Sequence, residues 1–562
     1  MIGPNLYDNV VLPKLLGARA LVLVLALVLA LGQFRRGAIS WRFTPLDIPL
    51  ALFLISAAVS TVYAVNTSVA LHGLYQRYQG LFDLVTYFAL FWLAVQTVCT
   101  RRDAWLLIRS LIVAGYAVSV VAIVQVLLGS VPLLGLPLSS SSSRPDATFA
   151  NPTLLGAFLA MLLPLALYEL LHSRSLTDRI LFANATVVMG LGMVLSLTRS
   201  AWIGAVIGMG VVLISWHPRR AAILLGGVTA VAAVSVAGAL LFNRLGGHIT
   251  APGPVQAVIS RAQSLTQPLA GSGGIRLHVW KDTLALIASQ PITGYGPDSF
   301  GAVYPTFQTA DWEPGVLFDR PHQEVLEVAA TQGLIGVAAY LLIIGALIRT
   351  FWRGRRERGA MAMVGALVAY EVTTQVNFSL APAEIPFLLF LAAAMTIWGG
   401  AGRERSVTLK QPALRIAGGA AAVLVATVIA VLAVAHPLVA DSQYLVASQA
   451  WDNGDTTRAR QAVADARTLA PDESAYAILA GDLALDLDNN GVPAADANWQ
   501  AARQQYEDAL RLGTFSPEPF RELARTYRAL GLRGQAIATA KRAVLLNRFD
   551  PANEAVLVEV SK

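Results

Sequence analysis

One cysteine in 562 residues, Cys99, leaves no partner for an internal disulfide and no cysteine set for a zinc site. Charge is scarce as well: Asp, Glu, Lys and Arg make up 14% of the chain, against about 25% in ordinary soluble domains. Short signatures of several chemistries are missing. No GxxxxGK[ST] loop cradles a nucleotide phosphate, no HExxH pair presents a metal on a helix, and no GxSxG elbow raises a serine. Asp486-Leu487-Asp488-Asn489-Asn490-Gly491 opens like a calcium loop, but its twelfth position is Ala497, where a bidentate glutamate is required. The residues therefore offer no metal site and no cofactor site.

What the chain has is apolar length. It is 55% hydrophobic with a mean hydropathy of +0.57, more than a soluble fold of this size buries. Twelve apolar runs fall near 11–33, 45–64, 81–99, 104–128, 152–172, 180–198, 201–216, 220–242, 325–348, 361–379, 384–399 and 414–435. Each is close to the length a helix needs to cross about 30 Å of hydrocarbon. The fold class expected is all-α: a polytopic membrane helix bundle of about twelve spans followed by a helical repeat domain.

A pI near 9.5 might suggest nucleic acid, but the arginines punctuate the gaps between spans and report topology instead. Arg35, Arg36 and Arg42 fill the first gap, Arg101 and Arg102 the third, Arg174 and Arg179 the fifth, and Arg219 and Arg220 the seventh. Arg349, Arg353, Arg355, Arg356 and Arg358 follow in the ninth, then Arg403, Arg405 and Lys410 in the eleventh. The positive-inside rule puts the odd gaps in the cytoplasm, with the even gaps and both termini outside. The first run also has signal-peptide features, with Lys14 and Arg19 ahead of it and Ala30-Leu31-Gly32 at its end. Cleavage would strand Arg35 and Arg36 outside and invert the charge pattern, so the run is read as a span.

Residues 1–435 form the membrane domain, and 243–324 within it are a long outer loop. Loops of that length usually carry structure and function. Ile275 to Ser289 places Leu277, Trp280, Leu284 and Ile287 at helical spacing, an amphipathic helix suited to a membrane surface. From 441 to 562 the apolar runs stop. Ala502, Tyr506 and Ala509 recur 34 residues later as Ala536, Ala540 and Ala543, and Ala459, Val463 and Ala466 share the spacing upstream. That is the period of tetratricopeptide helix pairs, and it predicts about three repeats with an insertion near 486–498.

Five residues stand out for chemistry. Phe182 to Trp216 as one helix would run about 50 Å, so it must fold back at Thr198-Arg199-Ser200, which sets Arg199 at an outer turn. His322 stands at the mouth of the span that follows, beside Arg320. An imidazole next to a guanidinium near lipid is costly and is usually kept for function. Arg276 opens the amphipathic helix, and Arg77 lies in the outer segment Tyr75-Gln76-Arg77-Tyr78-Gln79-Gly80. Each has a plainer reading: a lipid-bound snorkelling arginine at Arg199, surface charges at Arg276, Arg320 and Arg77, and a helix cap at His322. Midplane ionisable residues are few, Glu371 being the main exception, which argues against a small-anion transporter.

Four segments, read together, resemble the O-antigen ligase and polymerase superfamily, in its bacterial branch with tetratricopeptide repeats. They are Ala147-Thr148-Phe149-Ala150-Asn151-Pro152, Ser196-Leu197-Thr198-Arg199-Ser200, Arg276 to Trp280 leading to Pro291 through Phe300, and Arg320-Pro321-His322 through Gly333-Leu334-Ile335-Gly336. Gln323 and Thr331 depart from the asparagine and glutamate common at those places. The resemblance implies a GT-C-like fold in the bacterial cytoplasmic membrane, with the large loop and repeats outside. It implies transfer of a glycan from an undecaprenyl-diphosphate carrier to a hydroxyl of a lipid, glycan or protein acceptor. The enzyme would invert the anomeric centre without metal or cofactor, with His322 as base and Arg199, Arg276, Arg320 and Arg77 on the substrate. A polymerase of the same superfamily is the nearest alternative, and the repeats would recruit a protein partner.

Overall fold

The computed structural model describes residues 3–128, 130–133, 136–139, 144–217, 253–264, 271–400, 402, 404–486 and 497–562. Helices stand at eleven of the twelve apolar runs; the run at 220–242 and the basic pair Arg219 and Arg220 lie outside the described residues, as does most of the 486–498 stretch with its calcium-like loop. In chain order the first are α1 (Val11–Arg36), β1 (Ala38–Arg42), α2 (Asp47–Val62), α3 (Thr67–His72), α4 (Leu81–Thr97) and α5 (Arg101–Leu128). Strands β2 (Ser130–Leu133) and β3 (Leu136–Ser139) pair as a short hairpin before α6 (Pro152–His172), α7 (Leu176–Leu195) and α8 (Arg199–Trp216). The outer loop carries α9 (Gly253–Gln263) and α10 (Ser272–Ser289), and the bundle resumes with α11 (Glu324–Gly354), α12 (Ala360–Thr374) and α13 (Ala381–Ile397). After β4 (Glu404–Thr408) comes α14 (Pro412–Ala430). Seven helical segments are long and apolar enough to cross a membrane, while α2, α4, α12 and α13 are shorter. This is a multi-pass membrane protein.

The gaps between spans sort onto two faces. β1 pairs antiparallel with β4, joining the first and eleventh gaps, and Arg101 meets Glu357 at 2.5 Å, joining the third and ninth. On the opposite face Val65 N–H donates to Tyr295, Leu74 N–H to the Asp298 carboxylate, and Gln79 Nε2 to the Ser379 carbonyl. These bonds tie the second gap to the large loop and to the tenth gap. The first and eleventh gaps, and the third and ninth, thus meet in pairs apart from the second, eighth and tenth, which meet one another.

α6 forms the centre of the bundle, buried almost throughout from Thr153 to Ala166. α8 packs against α12 along small residues: a methyl added at Gly204 would meet the Ala369 carbonyl at 2.5 Å, and one at Gly208 the Gly365 carbonyl at 2.3 Å. Membrane helices lack a hydrophobic drive to associate, so such close backbone approach supplies the contact. It also sets the N-terminal start of α8, at Arg199, beside the C-terminal end of α12.

α11 breaks at Gly333, whose φ of 66° and ψ of −166° leave the helical region. The loop 291–296 fills the break: Tyr295 N–H donates to the Ala330 carbonyl, Gly296 N–H to Thr331, and Leu334 N–H to Pro291. Irregular backbone at membrane depth persists only where protein satisfies it, and here it does. A Cβ at Gly333 would sit 2.2 Å from the Ile292 carbonyl oxygen.

Beyond the bundle, a π-turn (Val431–Ala435) precedes Pro437 and joins α14 to α15 (His436–Asp452) as one rod of 41 residues. The boundary expected near 435–441 thus lies inside continuous helix. Then follow α16 (Thr456–Leu469), α17 (Ser474–Leu485), α18 (Trp499–Leu512), α19 (Glu518–Ala529), α20 (Arg533–Leu546) and α21 (Pro551–Ser561). Ala459, Val463, Ala466, Ala502, Tyr506, Ala509, Ala536, Ala540 and Ala543 are all buried where these helices pack in pairs. The array leans on the outer-loop face: Asp441 accepts from Asp8 N–H and Tyr75 Oη, Asn66 donates to the Arg511 carbonyl, and Arg548 donates to the Gln308 carbonyl.

Gly333→Val forces a branched residue into positive φ against backbone and should cost on the order of 2–4 kcal/mol. A thermal melt of the purified protein should show a midpoint lowered by several degrees, and an unchanged midpoint would mean that the break is not fixed as described.

Candidate active site

The face that carries the large loop gathers four guanidinium groups from four separate segments. α7 ends at Leu195 and α8 starts at Arg199, so the chain does fold back at Thr198-Arg199-Ser200, with Leu197 at positive φ in the turn. Arg199 donates to the Ser264 carbonyl at 3.0 Å and reaches Ser272 Oγ at 3.4 Å. Arg261, on α9, donates to the Leu197 carbonyl in the same turn. Arg144 donates to the Ser196 carbonyl and Thr198 Oγ1. Arg276, in the first turns of α10, donates to Asn377 Oδ1 at 2.9 Å.

Among the described residues, Arg199, Arg261 and Arg276 make no ion pair with a carboxylate. Their mutual repulsion is visible in their acidities. Burial, then Arg199 and Arg261, lower the Arg276 guanidinium below the usual arginine range; burial and Arg199 do the same to Arg261. Burial, Arg261 and Arg276 bring Arg144 down to about 10. Positive charge concentrated at Arg199, Arg261 and Arg276, with no carboxylate paired to these three among the described residues, is what an anion site requires.

His322 adjoins this cluster through α10. Arg276 and Trp280 are four residues apart on one face, and Trp280 Nε1 donates to the carbonyl of Pro321, the residue before the histidine. His322 has φ of 56°, a left-handed conformation tolerated better by His than by branched residues. Its ring lies 5.4 Å from that of Phe378, and Nδ1 is buried without a hydrogen-bond partner among the described residues. Burial, then Arg276 and Arg320, lower its pKa to about 4, so the imidazole is neutral at pH 7 and able to accept a proton. Gln323, the next residue, caps α11 by accepting from Leu326 N–H and donates to Gln375.

Asn377 connects these parts. It is 5% exposed, accepts from Arg276, and donates to Ser200 Oγ at 2.6 Å and to the Thr373 carbonyl. One amide thereby joins α10, α8 and the end of α12, and its neighbour Phe378 contacts both the His322 ring and the Arg320 guanidinium, the latter at 4.3 Å.

Arg320 and Arg77 differ in kind from Arg199 and Arg276. Arg320 is buried, bound to Asp319 and stacked on Phe378. Arg77, 6% exposed, bridges Asp298 and Asp319 at 2.7 Å each. Burial opposes ionisation of Asp319, but Arg320 and Arg77 hold its carboxyl well below the usual range. These two arginines are charge-compensated supports of the segment leading to His322. On α10, Val279, Thr283 and Leu286 are buried against protein, and the Leu277 and Leu284 stripe read from the sequence is exposed on another face. Glu371 lies within one turn of the C-terminal end of α12. Among the described residues no group of three His, Cys, Asp or Glu side chains is arranged to hold a metal ion.

Residues 184–341 match the family model described as O-Antigen ligase. The match supports the O-antigen ligase superfamily. It spans Arg199, Arg261, Arg276, Arg320 and His322, while Arg77, Arg144 and Asn377 lie outside it. No curated protein matches the chain. The family and the apolar helices together point to a membrane enzyme of glycan transfer.

Inorganic pyrophosphate should raise the thermal midpoint of the wild-type protein, because a ligand that binds only the folded state stabilises it. Arg199→Ala and Arg276→Ala should each weaken that binding by about tenfold, and Asn377→Asp, which sets a carboxylate on Arg276, by a similar factor. Titration calorimetry checks this; equal affinity in all four proteins would remove the cluster as an anion site.

Proposed function

We propose that the protein is a glycosyltransferase of the outer face of the bacterial cytoplasmic membrane, moving a glycan from an undecaprenyl-diphosphate carrier to an acceptor hydroxyl. The observation that carries this reading is a neutral imidazole set beside Arg276, which with Arg199 and Arg261 makes no ion pair with a carboxylate among the described residues. The acceptor hydroxyl attacks the anomeric carbon and passes its proton to His322. As the new carbon–oxygen bond forms, the glycosidic bond to phosphate breaks, and its electron pair leaves on the diphosphate oxygen. Arg199 and Arg276, with Arg144 and Arg261 around them, stabilise that developing charge, the work a divalent cation does in other transferases. A single displacement inverts the anomeric centre. Arg320 and Arg77 act by holding the Asp319–His322 segment in place.

The acidity of His322 gives the reading a pH signature. A low free-enzyme pKa keeps the base unprotonated into mildly acidic solution, so kcat/KM should hold down to about pH 5. Bound diphosphate cancels part of the arginine field and raises the imidazole pKa, so the acid limb of kcat should lie at higher pH than that of kcat/KM. Reconstituted protein with a lipid-diphosphate glycan tests both points: His322→Ala should lower turnover by about 10² to 10⁴, with chelator harmless to wild type. Undiminished turnover in His322→Ala, or coincident acid limbs, would contradict the proposal.

The side of the membrane is open to a direct assay, because Cys99 is exposed and lies in the third gap. An impermeant maleimide should label it in inverted vesicles and not in intact cells, whereas a cysteine placed at Ser561 in a Cys99→Ser background should behave in the opposite way. The reverse pattern would put the candidate site in the cytoplasm.

A further inference from the structure

The helices beyond the bundle reach back toward the candidate site at two places. The first is the turn between α3 and α4. Gln76 and Tyr78 both have positive φ, 65° and 50°, and Arg77 stands between them. Two left-handed non-glycine residues so close together are costly and persist only where the surroundings fix them. Backbone fixes one end: Leu74 N–H donates to the Asp298 carboxylate at 2.7 Å, and the Leu74 carbonyl accepts from Arg77 and Tyr78 N–H. A side chain fixes the other. Tyr75 Oη donates to Asp441 on α15, within a group of rings in which Tyr444 of α15 and Tyr476 of α17 lie 5.9 and 6.0 Å from that of Tyr75.

Asp441 is a fixed point. It is fully buried, and besides Tyr75 it accepts from Asp8 N–H at 3.1 Å and from Tyr476 Oη at 3.4 Å. On the same rod the Ala433 carbonyl accepts from Arg19, which also meets Asp83 at 2.8 Å, so the rod is pinned to α1 and α4 about 12 Å along its axis from Asp441. The second place is Gly301. A methyl there would meet Asp319 Cα at 3.2 Å and the ring of Phe515, from the turn between α18 and α19, at 3.3 Å. The two approaches converge on one residue. Arg77 bridges Asp298 and Asp319, and Asp319 also pairs with Arg320, so the segment that enters His322 is braced from both.

We propose that the C-terminal helical array is a positioning part of the candidate site, and that Tyr75 and Phe515 are the residues through which it acts. Tyr75, held by Asp441, aims Arg77 at Asp319, and Phe515 backs Gly301 against the same residue. The segment from Asp319 to His322 then keeps the imidazole in its left-handed, half-buried pose. Neither Tyr75 nor Phe515 meets the substrate; both act through Asp319. The inference rests on His322 as the functional side chain, and it gives the array a role in the site beside any surface it offers to a partner.

The test uses the full-length protein in lipid nanodiscs and diethyl pyrocarbonate, which acylates neutral imidazole, with the rate at His322 read by mass spectrometry of its peptide. The exposed His172 serves as internal reference. Tyr75→Phe deletes one hydroxyl and keeps the ring; it should raise the His322 rate about tenfold, the scale of one hydrogen bond to a charged partner lost from a local opening equilibrium. Phe515→Ala should raise it by a similar factor, about tenfold. Tyr476→Phe removes another hydroxyl from Asp441 but lies on no segment that carries Arg77, and its rate should equal that of wild type. Pyrophosphate affinity should be unchanged in all three, which shows that they are folded. In the transfer assay Tyr75→Phe should lower kcat about tenfold and leave the donor KM within about twofold, because the arginines that meet the diphosphate are not displaced. An unchanged His322 rate in either Tyr75→Phe or Phe515→Ala with pyrophosphate still bound, or an equal rise in Tyr476→Phe, would overturn the proposal. Loss of pyrophosphate binding in both would make these contacts general supports of the fold and overturn it as well. Acylation needs no turnover, so full activity in His322→Ala would remove the catalytic reading and leave this result standing.

Discussion

A single buried amide holds the arginine-bearing face together. Asn377 takes a charge-assisted hydrogen bond from Arg276 and gives one to Ser200, next to Arg199, so two guanidiniums more than seventy positions apart in sequence share one reference point. A hydrogen bond to a charged partner is worth about 1.5–3 kcal/mol, and leaving the buried amide unpaired costs a comparable amount. The small-residue seam between α8 and α12 brings the helix ends within reach, and Asn377 converts that proximity into a fixed geometry. Without it, repulsion among Arg144, Arg199, Arg261 and Arg276 would push their side chains apart.

The same face shows how a membrane protein can afford irregular backbone. His322 and Gly333, in and beside the first turns of α11, both have positive φ, and the segment 291–296 supplies hydrogen bonds to the carbonyls freed by the break. Ser60 adds another, donating to the Thr331 carbonyl. The large loop therefore acts as the missing turn of a spanning helix, and that role anchors it where its other end can present Arg276. Positioning residues such as Arg77, which clamps Asp298 and Asp319, belong to this scaffold.

Much of this was legible in the sequence. Helix positions follow from the apolar runs, eleven of which hold helices among the described residues. The fold-back at Arg199 follows from a run too long to be one helix. Proximity of Arg276 to His322 was suggested only by shared sidedness and a family resemblance, because hydropathy fixes the leaflet and says nothing of position within it. Arg144 and Arg261 were passed over: one follows a serine-rich stretch and the other lies in a loop without periodicity, so neither stands out until the turn at Leu197 collects them. Asn377 carries no charge and no motif. On α10 the stripe read from periodicity is left uncovered by protein at Leu277 and Leu284, while Val279 and Leu286, which no periodicity singled out, face the loop's own cluster.

The central claim is that guanidiniums from α8 and α10 meet one imidazole around a diphosphate. Its most direct measurement is an electron cryo-microscopy structure of the protein in nanodiscs with a non-transferable prenyl diphosphate glycan. The account predicts phosphate oxygens within hydrogen-bond distance of Arg199 and Arg276, Asn377 still bridging to Ser200, and the His322 ring facing the anomeric carbon. A diphosphate lodged elsewhere, with His322 turned away from the sugar, would contradict it.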